Sequence, residues 1–452
     1  MAGRSKVRFF AALVAAGLSV TSVRAETLTD ALIAAYRNSN LLEQNRAVLR
    51  AADEDVATAV AALRPTLAFV AQSRWVDPVL TRRLTSSIGL SANLTLYDSG
   101  RNRLGIEIAR ESVLATREAL VGVEQQVLLN AVQAYMNVRS AIEYVSLNQN
   151  SVRVIGEELR AAQDRFDVGE VTRTDVAQAE ARLASARAQL SSAQGDLTTA
   201  REAYKAATGQ YPGSLATPPT PPRSAATVDD AKAVGVRTHP DVRQAQRQVN
   251  VAELNVSLAA AQRLPTVSAT GSVARDQSGD DASSLTLSLS QPIYQGGALS
   301  SLHRQAIAGR DQARAALQQS AVNVAYQVGA AWSDLQVSRA SLASIDEQIR
   351  AAQVAYDGVR EEARFGARTT LDVLDAEQEL LNARASRISA QSQQYVAAYS
   401  VLSAMGLLTV DHLKLGIPTY DPAAYYNAVR EAPYTSIQGQ KLDRVLQSIG
   451  KK

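Results

Sequence analysis

Short segments of the chain alternate polar and apolar residues, whereas much longer segments follow a helical period. Residues 88–96 and 285–289 alternate strictly, while residues 66–75 and 266–274 begin directly after Pro65 and Pro265 and alternate more weakly. A period of two is typical of strands with one apolar and one polar face. The pattern therefore predicts two β-hairpins, at about 64–97 and 264–294, with turns at about 76–84 and 276–283.

Long segments of helical character follow each hairpin. Residues 101–166 and 298–364 contain no proline, and apolar residues of the first occupy heptad-like positions: Leu128, Ala131, Tyr135, Val138, Ile142, Val145, Val152 and Leu159. A helix of this length extends roughly 100 Å at 1.5 Å per residue. Helices of about 35 residues are expected before each hairpin and after each long helix, and the helical stretches before the hairpins open near Asn38 to Leu41 and Thr238 to Asp241. The chain is thus predicted to be mainly α, with coiled-coil packing and four strands.

The chain is an internal duplication. RPTL at 64–67 recurs as LPTV at 264–267, YDSG at 97–100 as YQGG at 294–297, and GEVTRTDVAQAE at 169–180 as GARTTLDVLDAE at 366–377. Three motifs that recur in one order indicate two copies of one plan, residues 26–215 and 228–407. The linker between them, 216–227, contains TPPTPPR and cannot be helical.

The turn after each long helix has the same design in both copies. A glycine is placed to end the long helix, a threonine three residues later to cap the next helix, and an acid three residues further on to complete a capping box. These residues are Gly169, Thr172 and Asp175 in the first copy and Gly366, Thr369 and Asp372 in the second. Helix capping therefore explains both acids without any further role.

Asp375 differs, because it lies beyond the first helical turn and corresponds to Gln178 in the first copy. Asp372 and Asp375 are three residues apart and share one face of the predicted helix. A solvated surface is the simpler interpretation of this pair. If several chains close around an axis at this turn, the pair becomes a ring of carboxylates that favours cations.

Charge and composition indicate export. The chain has 47 basic and 44 acidic residues, but Arg4, Lys6, Arg8 and Arg24 lie in the first 25 residues, and without them the formal charge is 43 − 44 = −1. A cationic start, an apolar stretch and small residues before Glu26 predict a signal peptide at 1–25. The near-neutral remainder does not favour nucleic-acid binding. The absence of cysteine excludes disulfides and a lipid anchor on cysteine.

The predicted strands are about ten residues long, which is enough for a tilted strand to cross a bilayer. Four strands cannot close a barrel, and open sheet edges are not tolerated in hydrocarbon, so a membrane location requires several chains to build one barrel. An amphipathic hairpin in a soluble sandwich has the same pattern. A soluble periplasmic coiled-coil adaptor or scaffold is therefore the alternative, although it needs no such hairpins.

An enzyme is not predicted. The three histidines, His239, His303 and His412, lie in no metal-ligand spacing, and no glycine-rich phosphate loop follows a strand. Neither a metal nor a cofactor is expected.

The signal segment, the duplicated plan, the Tyr-x-x-Gly motif after the second strand and the Gly-x-x-Thr-x-x-Asp-Val turn together resemble the TolC family of outer-membrane efflux proteins. The resemblance implies a homotrimer in the outer membrane of a Gram-negative bacterium, with a twelve-stranded transmembrane β-barrel and an α-helical tunnel through the periplasm. It also implies a passive duct for type I protein secretion or multidrug efflux, opened by a periplasmic adaptor and an inner-membrane transporter. The linker and residues 408–452 would form an equatorial belt, and the polar tail from about residue 434 is expected to be mobile.

The same resemblance assigns roles at the turns. Gly169 and Gly366 would face the adaptor, and Asp372 and Asp375 would form the constricting acidic ring. Tip-closing links between neighbouring helical hairpins are implied for a second set of residues: Arg368, Thr174 and Asp175. One residue departs from the family, because Ala363 stands where a tyrosine partners the acid that corresponds to Asp175. Closure is therefore expected to depend more on Arg368.

Overall fold

The computed structural model describes residues 25–75, 77, 84–222, 224–432 and 444. The predicted signal segment before Ala25, most of the first hairpin turn and the polar tail after residue 432, apart from Arg444, lie outside the described residues. No helix in the described ranges has both the length and the apolar character that would be needed to span a membrane.

The described residues form nine helices and four strands in two similar series. The first series is α1 Leu28–Asn38, α2 Asn40–Ala61, β1 Thr66–Trp75, β2 Leu84–Tyr97, α3 Arg101–Asp167 and α4 Arg173–Thr208. The second is α5 Val228–Thr238, α6 Pro240–Ala261, β3 Thr266–Asp276, β4 Asp281–Ser290, α7 Ala298–Arg364 and α8 Thr370–Ala404, followed by α9 Pro422–Val429. We call α3 and α4 the first helical hairpin, and α7 and α8 the second.

The expectation of one 35-residue helix before each β-hairpin is wrong. The structure has two helices there, of 11 and 22 residues, in both copies. Ser39 leaves the helical conformation and its hydroxyl caps α2 by accepting from the Leu42 amide at 3.2 Å. His239 does the same for α6, where Pro240 at the first helical position cannot continue the preceding helix.

The four strands form one antiparallel sheet in the order β1-β2-β3-β4. The two β-hairpins are joined because β2 pairs with β3, with Leu90 opposite Val273. The strands β1 and β4 are therefore the edges of the sheet within one chain. Gly89 on β2 has no room for a side chain against β3, since a Cβ atom there would be 2.5 Å from the carbonyl oxygen of Val273.

The register places the apolar rows of all four strands on one face of the sheet. Phe69 is opposite Leu90, and Leu90 is opposite Val273 on its other side. Large apolar side chains on the sheet are exposed in the single chain: Leu67, Phe69, Ile88, Leu90, Val273, Leu285, Leu287 and Leu289. Leu285 is the most open of these, at 84% exposed. A soluble protein rarely leaves so many aligned apolar side chains in water.

The main core lies where both copies and the C-terminal segment meet. Its buried side chains come from α1, α3, α4, α8 and residues 408–415: Leu28, Leu32, Leu128, Tyr135, Tyr204, Leu402, Leu408, Val410 and Leu415 are examples. The segment after α8 returns along α2. Arg46 lies 5.1 Å from the ring centroid of Tyr420, and Arg117 is at the same distance from that of Tyr426. Arg64 donates to the carbonyl oxygens of Glu431 and Ala432.

Glu26, the residue after the predicted cleavage site, is built into the same region. Its carboxylate accepts from the Tyr204 hydroxyl at 2.6 Å and from the Gly213 amide at 3.0 Å. Its backbone forms a parallel bridge to Leu215. The beginning of the described chain is thereby fixed beside α4.

Candidate functional site

Both long helices end in the same hydrogen-bonded turn. Gly169 and Gly366 have φ of +80° and +75°, a conformation that glycine adopts without steric cost. The amide of the following residue reaches back five residues, from Glu170 to the Arg165 carbonyl and from Ala367 to the Glu362 carbonyl, each at 2.9 Å. These are Schellman motifs, which confirms the prediction that the two glycines end the long helices.

Complete capping boxes follow both turns, as predicted. The Asp175 carboxylate accepts from the Thr172 amide at 2.9 Å, and the Thr172 hydroxyl accepts from the Asp175 amide. Thr369 and Asp372 repeat this arrangement, with 2.9 Å between the Thr369 amide and the carboxylate. Hydrogen bonds from the threonine amide and hydroxyl hold the pKa of both carboxyl groups below its usual value. Both acids are therefore charged at neutral pH.

Asp375 has a partner that the sequence analysis did not identify. Its Oδ1 lies 2.6 Å from a guanidinium nitrogen of Arg182 on α4. This ion pair joins the first helical hairpin to the second, and its side chains are 40% and 57% exposed.

The proposed tip-closing residues lie apart in the single chain. Arg368 forms an ion pair at 2.9 Å with Glu362, which lies in the last turn of α7. The glutamate, together with the nearby Asp372 charge, raises the pKa of Arg368. Thr174 is exposed, and Asp175 is engaged in its own cap. Links from Arg368 to Thr174 or Asp175 therefore stay predictions for contacts between neighbouring hairpins.

Ala363, which replaces the family tyrosine, is buried inside the second helical hairpin. It is 5% exposed and packs with Tyr356, Val373 and Leu380. A methyl group buried between two helices offers no hydroxyl to an acid on another hairpin. The prediction that closure depends less on this position therefore stays a prediction.

An inter-hairpin contact that the sequence analysis missed lies about two helical turns from the tip. Glu377 on α8 is 7% exposed, and its Oε2 has no hydrogen-bond partner among the described residues. Glu158 on α3 is equally buried and pairs with Arg360 on α7 at 3.3 Å. Burial, and secondarily the Glu158 charge, raise the pKa of Glu377 to about 7, against the opposing effects of Arg360 and Arg384.

Leu374 on α8 adds an apolar contact between the two helical hairpins. Its side chain is 3% exposed and inserts into the first helical hairpin beside Ile155, Ala179 and Leu183. Charged and apolar contacts therefore join the two hairpins of one chain near the tip. Local spacing did not reveal them, because they depend on which helices lie side by side.

Among the residues that the structure describes, no group of three or more histidine or acidic side chains is arranged to hold a metal ion.

Comparison with known proteins identifies the family. The family model "Outer membrane efflux protein" matches residues 32–210 and 237–407, which together make up most of the chain. The chain belongs to this family. The two matched segments correspond closely to the two copies of the duplicated plan.

Two curated members of the efflux family are similar over nearly their whole length. The outer membrane efflux protein BepC of Brucella suis is 36% identical over 431 residues, covering 93% of this chain and 94% of that protein. The outer membrane protein TolC of Escherichia coli is 26% identical over 430 residues, covering 88% and 86%. The solved outer membrane protein VceC of Vibrio cholerae has a TM-score of 0.71 at 21% identity, covering 84% and 96%.

Membership of the efflux family confirms several predictions. The protein is an outer-membrane efflux or secretion channel of a Gram-negative bacterium that extends into the periplasm, and not an enzyme. The mainly helical fold with a four-stranded sheet agrees with the solved channel. Channels of this family work with adaptors and inner-membrane transporters.

Proposed function

We propose that three copies of the chain form a passive exit duct for type I protein secretion, multidrug efflux or both. Each copy contributes four strands to a twelve-stranded barrel in outer-membrane lipid and two helical hairpins to a periplasmic tunnel. An adaptor binds near Gly169 and Gly366, and an inner-membrane transporter supplies the energy. The single observation that carries this proposal is the sheet, whose apolar face and two unpaired edges are joined to 67-residue helices.

The sheet argues for assembly on physical grounds. The backbone groups along the outer edges of β1 and β4 have no partner strand within the described chain. Each unsatisfied group costs several kcal/mol in hydrocarbon, so a lipid-exposed sheet has to close on itself. Pairing β4 of one copy with β1 of the next satisfies both edges. It also continues the apolar face around the barrel.

The turns argue for a gated end. Asp372 and Asp375 lie on one face at the start of α8, where copies around an axis would form rings of carboxylates. Arg368 lies beside them and is placed to link neighbouring hairpins. In this proposal the tip is closed at rest, and adaptor binding separates the hairpins.

Paired cysteines test the edge contact, because the natural chain has no cysteine. We expect chains with Ala71→Cys on β1, combined in separate variants with Leu285→Cys, Leu287→Cys or Leu289→Cys on β4, to give covalent trimers on oxidation of outer membranes. The product is measured by denaturing electrophoresis. Leu90→Cys combined with Leu287→Cys is the matched control, since β2 already has neighbours on both sides.

Recovery of the processed chain as a detergent-free monomer, with no covalent oligomer in any β1–β4 pair, would contradict the trimeric barrel. Purification of the cross-linked protein with an adaptor and a transporter from native membranes tests the duct. Cross-linked products on denaturing electrophoresis that end at dimers, or that are larger than trimers, would contradict the proposal that three chains form the barrel.

A further inference from the structure

We propose that Arg182 is a specificity-determining residue of the pore, which neutralises Asp375 and thereby limits the cation preference of the constriction. This inference rests on the proposed function, because it assigns the charge balance of the same tip. It makes the two acids of the predicted ring unequal. Asp372 is held by a helix cap, whereas Asp375 is held by a cation from the other helical hairpin.

Arg182 and Asp375 are held together by a short contact and by the apolar residues next to them. The distance of 2.6 Å between Arg182 Nη2 and Asp375 Oδ1 is that of a short, charge-assisted hydrogen bond. Leu374, the residue before Asp375, is buried against Leu183, the residue after Arg182. An apolar contact adjacent to each charged residue therefore keeps the ion pair in register, although the pair itself is accessible to water.

The duplication supplies an independent argument. The positions that correspond to Asp375 and Arg182 in the other copy, at the offset of 197 residues, are Gln178 and Glu379. The capping threonines and acids are identical in both copies, but these two positions have changed their charge. The first copy carries a cation and a neutral amide where the second carries two acids. Helix capping does not require this difference in charge, whereas an ion pair between the two repeats of one chain does.

The charge balance follows from these contacts. Asp372 receives hydrogen bonds from neutral groups of Thr369, and the nearby Arg368 forms its ion pair with Glu362 instead, so most of the negative charge of Asp372 stays available to ions in the pore. Asp375 shares its charge with a guanidinium. Removing the guanidinium adds one uncompensated carboxylate per chain at the constriction, and a ring of carboxylates attracts cations.

Block of the channel by a multivalent cation measures this balance. We expect Arg182→Gln to tighten block by hexamminecobalt(III), added from the tip side in planar bilayers, by roughly two- to fivefold, which is the coupling typical of an exposed ion pair. Arg182→Lys keeps the charge and should leave block unchanged. In Asp375→Asn, the further change Arg182→Gln should tighten block clearly less, because no carboxylate is then released to bind the cation.

Arg187→Gln is the matched control, since it removes an exposed arginine from the same helix. Equal tightening of block by Arg187→Gln would show a general charge effect and would overturn the inference. If hexamminecobalt(III) blocks the Arg182→Gln channel no more tightly than the wild type, the inference is also overturned. A purely structural role would make Arg182→Gln alter block equally with and without the Asp375 carboxylate, which also contradicts the proposal. A wild-type protein that forms no pore would overturn the proposed function together with this inference, whereas the other failures leave the duct intact.

Discussion

The carboxyl group of Glu377 lies in a place where its charged form is disfavoured. It is 7% exposed, the carboxylate of Glu158 is nearby, and its Oε2 accepts no hydrogen bond from the described residues. Arg360 and Arg384 offset part of this penalty. The group is therefore poised near its midpoint at neutral pH, with a pKa raised to about 7.

The sign of the resulting pH dependence is fixed by this raised pKa. The unfolded group titrates near 4.5, so between pH 4.5 and 7 the folded state binds more protons and stability falls as the pH rises. We expect the contact between the helical hairpins to be tighter at pH 5.5 than at pH 7.5. The full shift in the pKa corresponds to at most about 3.5 kcal/mol.

Hydrogen exchange of amides in α3 and α8 near Glu158 and Glu377 measures this local stability. Glu377→Gln should slow exchange at pH 7.5 and remove most of the difference between the two pH values, after correction for intrinsic exchange. Glu379→Gln, which removes a nearby exposed acid on the same helix, is the control. Equal pH dependence in Glu377→Gln and the wild type would show that other groups are responsible.

Residues whose roles are local were predictable. The caps of Thr172 and Thr369 involve partners three residues away, so their spacing in the sequence is sufficient to identify them. The pairing of Arg182 with Asp375 spans 193 residues and depends on α4 lying beside α8. The sequence does show opposite charges at equivalent positions of the two repeats, Arg182 and Glu379. It does not show which residue pairs with Arg182 until the helices are placed side by side.

At the scale of single elements, the junction of β2 with β3 has no space for a side chain at Gly89. Gly89 lies directly opposite Ala274, whose Cα would be 2.9 Å from a Cβ atom at position 89. Gly271 on β3, which pairs with Ala92, has open space where a Cβ atom would lie. At position 89 the pairing of β2 with β3 therefore leaves no room for a Cβ atom.

We expect Gly89→Ala to destabilise the sheet by about 1–3 kcal/mol, the usual cost of overpacking, because backbone atoms have to move. Gly271→Ala, on the neighbouring strand, is the matched control and should cost much less. The measurement is the temperature at which the detergent-solubilised oligomer dissociates on electrophoresis. Equal dissociation temperatures for the two variants would contradict the steric account.

The periods of the sequence predicted most elements. Strand β1 begins and ends where the alternation does, and the two 67-residue helices differ by at most one residue from their predicted bounds. The helical stretches before the β-hairpins open at 40 and 240, as predicted, but the expected length of about 35 residues was wrong, because the apolar period continues across Ser39 and His239 while the backbone turns. The apolar period shows which face of a helical segment is buried, but it does not show whether that segment is one straight helix or two helices with a break between them.

At the scale of the whole molecule, the proposed closure of the tip depends on contacts between neighbouring helical hairpins that the described residues of one chain do not show. The Arg368 guanidinium is held within its own turn by Glu362. It is either fixed there or exchanges to a neighbouring hairpin in the assembly. The two possibilities predict different behaviour of the closed channel.

We expect Arg368→Ser to raise resting conductance in planar bilayers, because a link between hairpins is lost. Glu362→Gln should not raise it, since it releases Arg368 for the neighbouring Thr174 or Asp175. Arg364→Ser, which removes an exposed arginine paired with Glu361 in the same helical turn, is the control. If Glu362→Gln opens the channel as much as Arg368→Ser does, the pair within the turn closes the tip instead.

The core around α1 also decides when the polypeptide can fold. Leu28 and Leu32 share one apolar cluster with Leu402, Leu408 and Val410, so partners are separated by as many as 410 − 28 = 382 positions. Contacts between such distant positions form slowly. During export, α1 crosses the membrane early, but several residues that it packs against follow only after almost the whole chain has been translocated. This cluster can therefore be completed only after most of the chain has crossed the membrane.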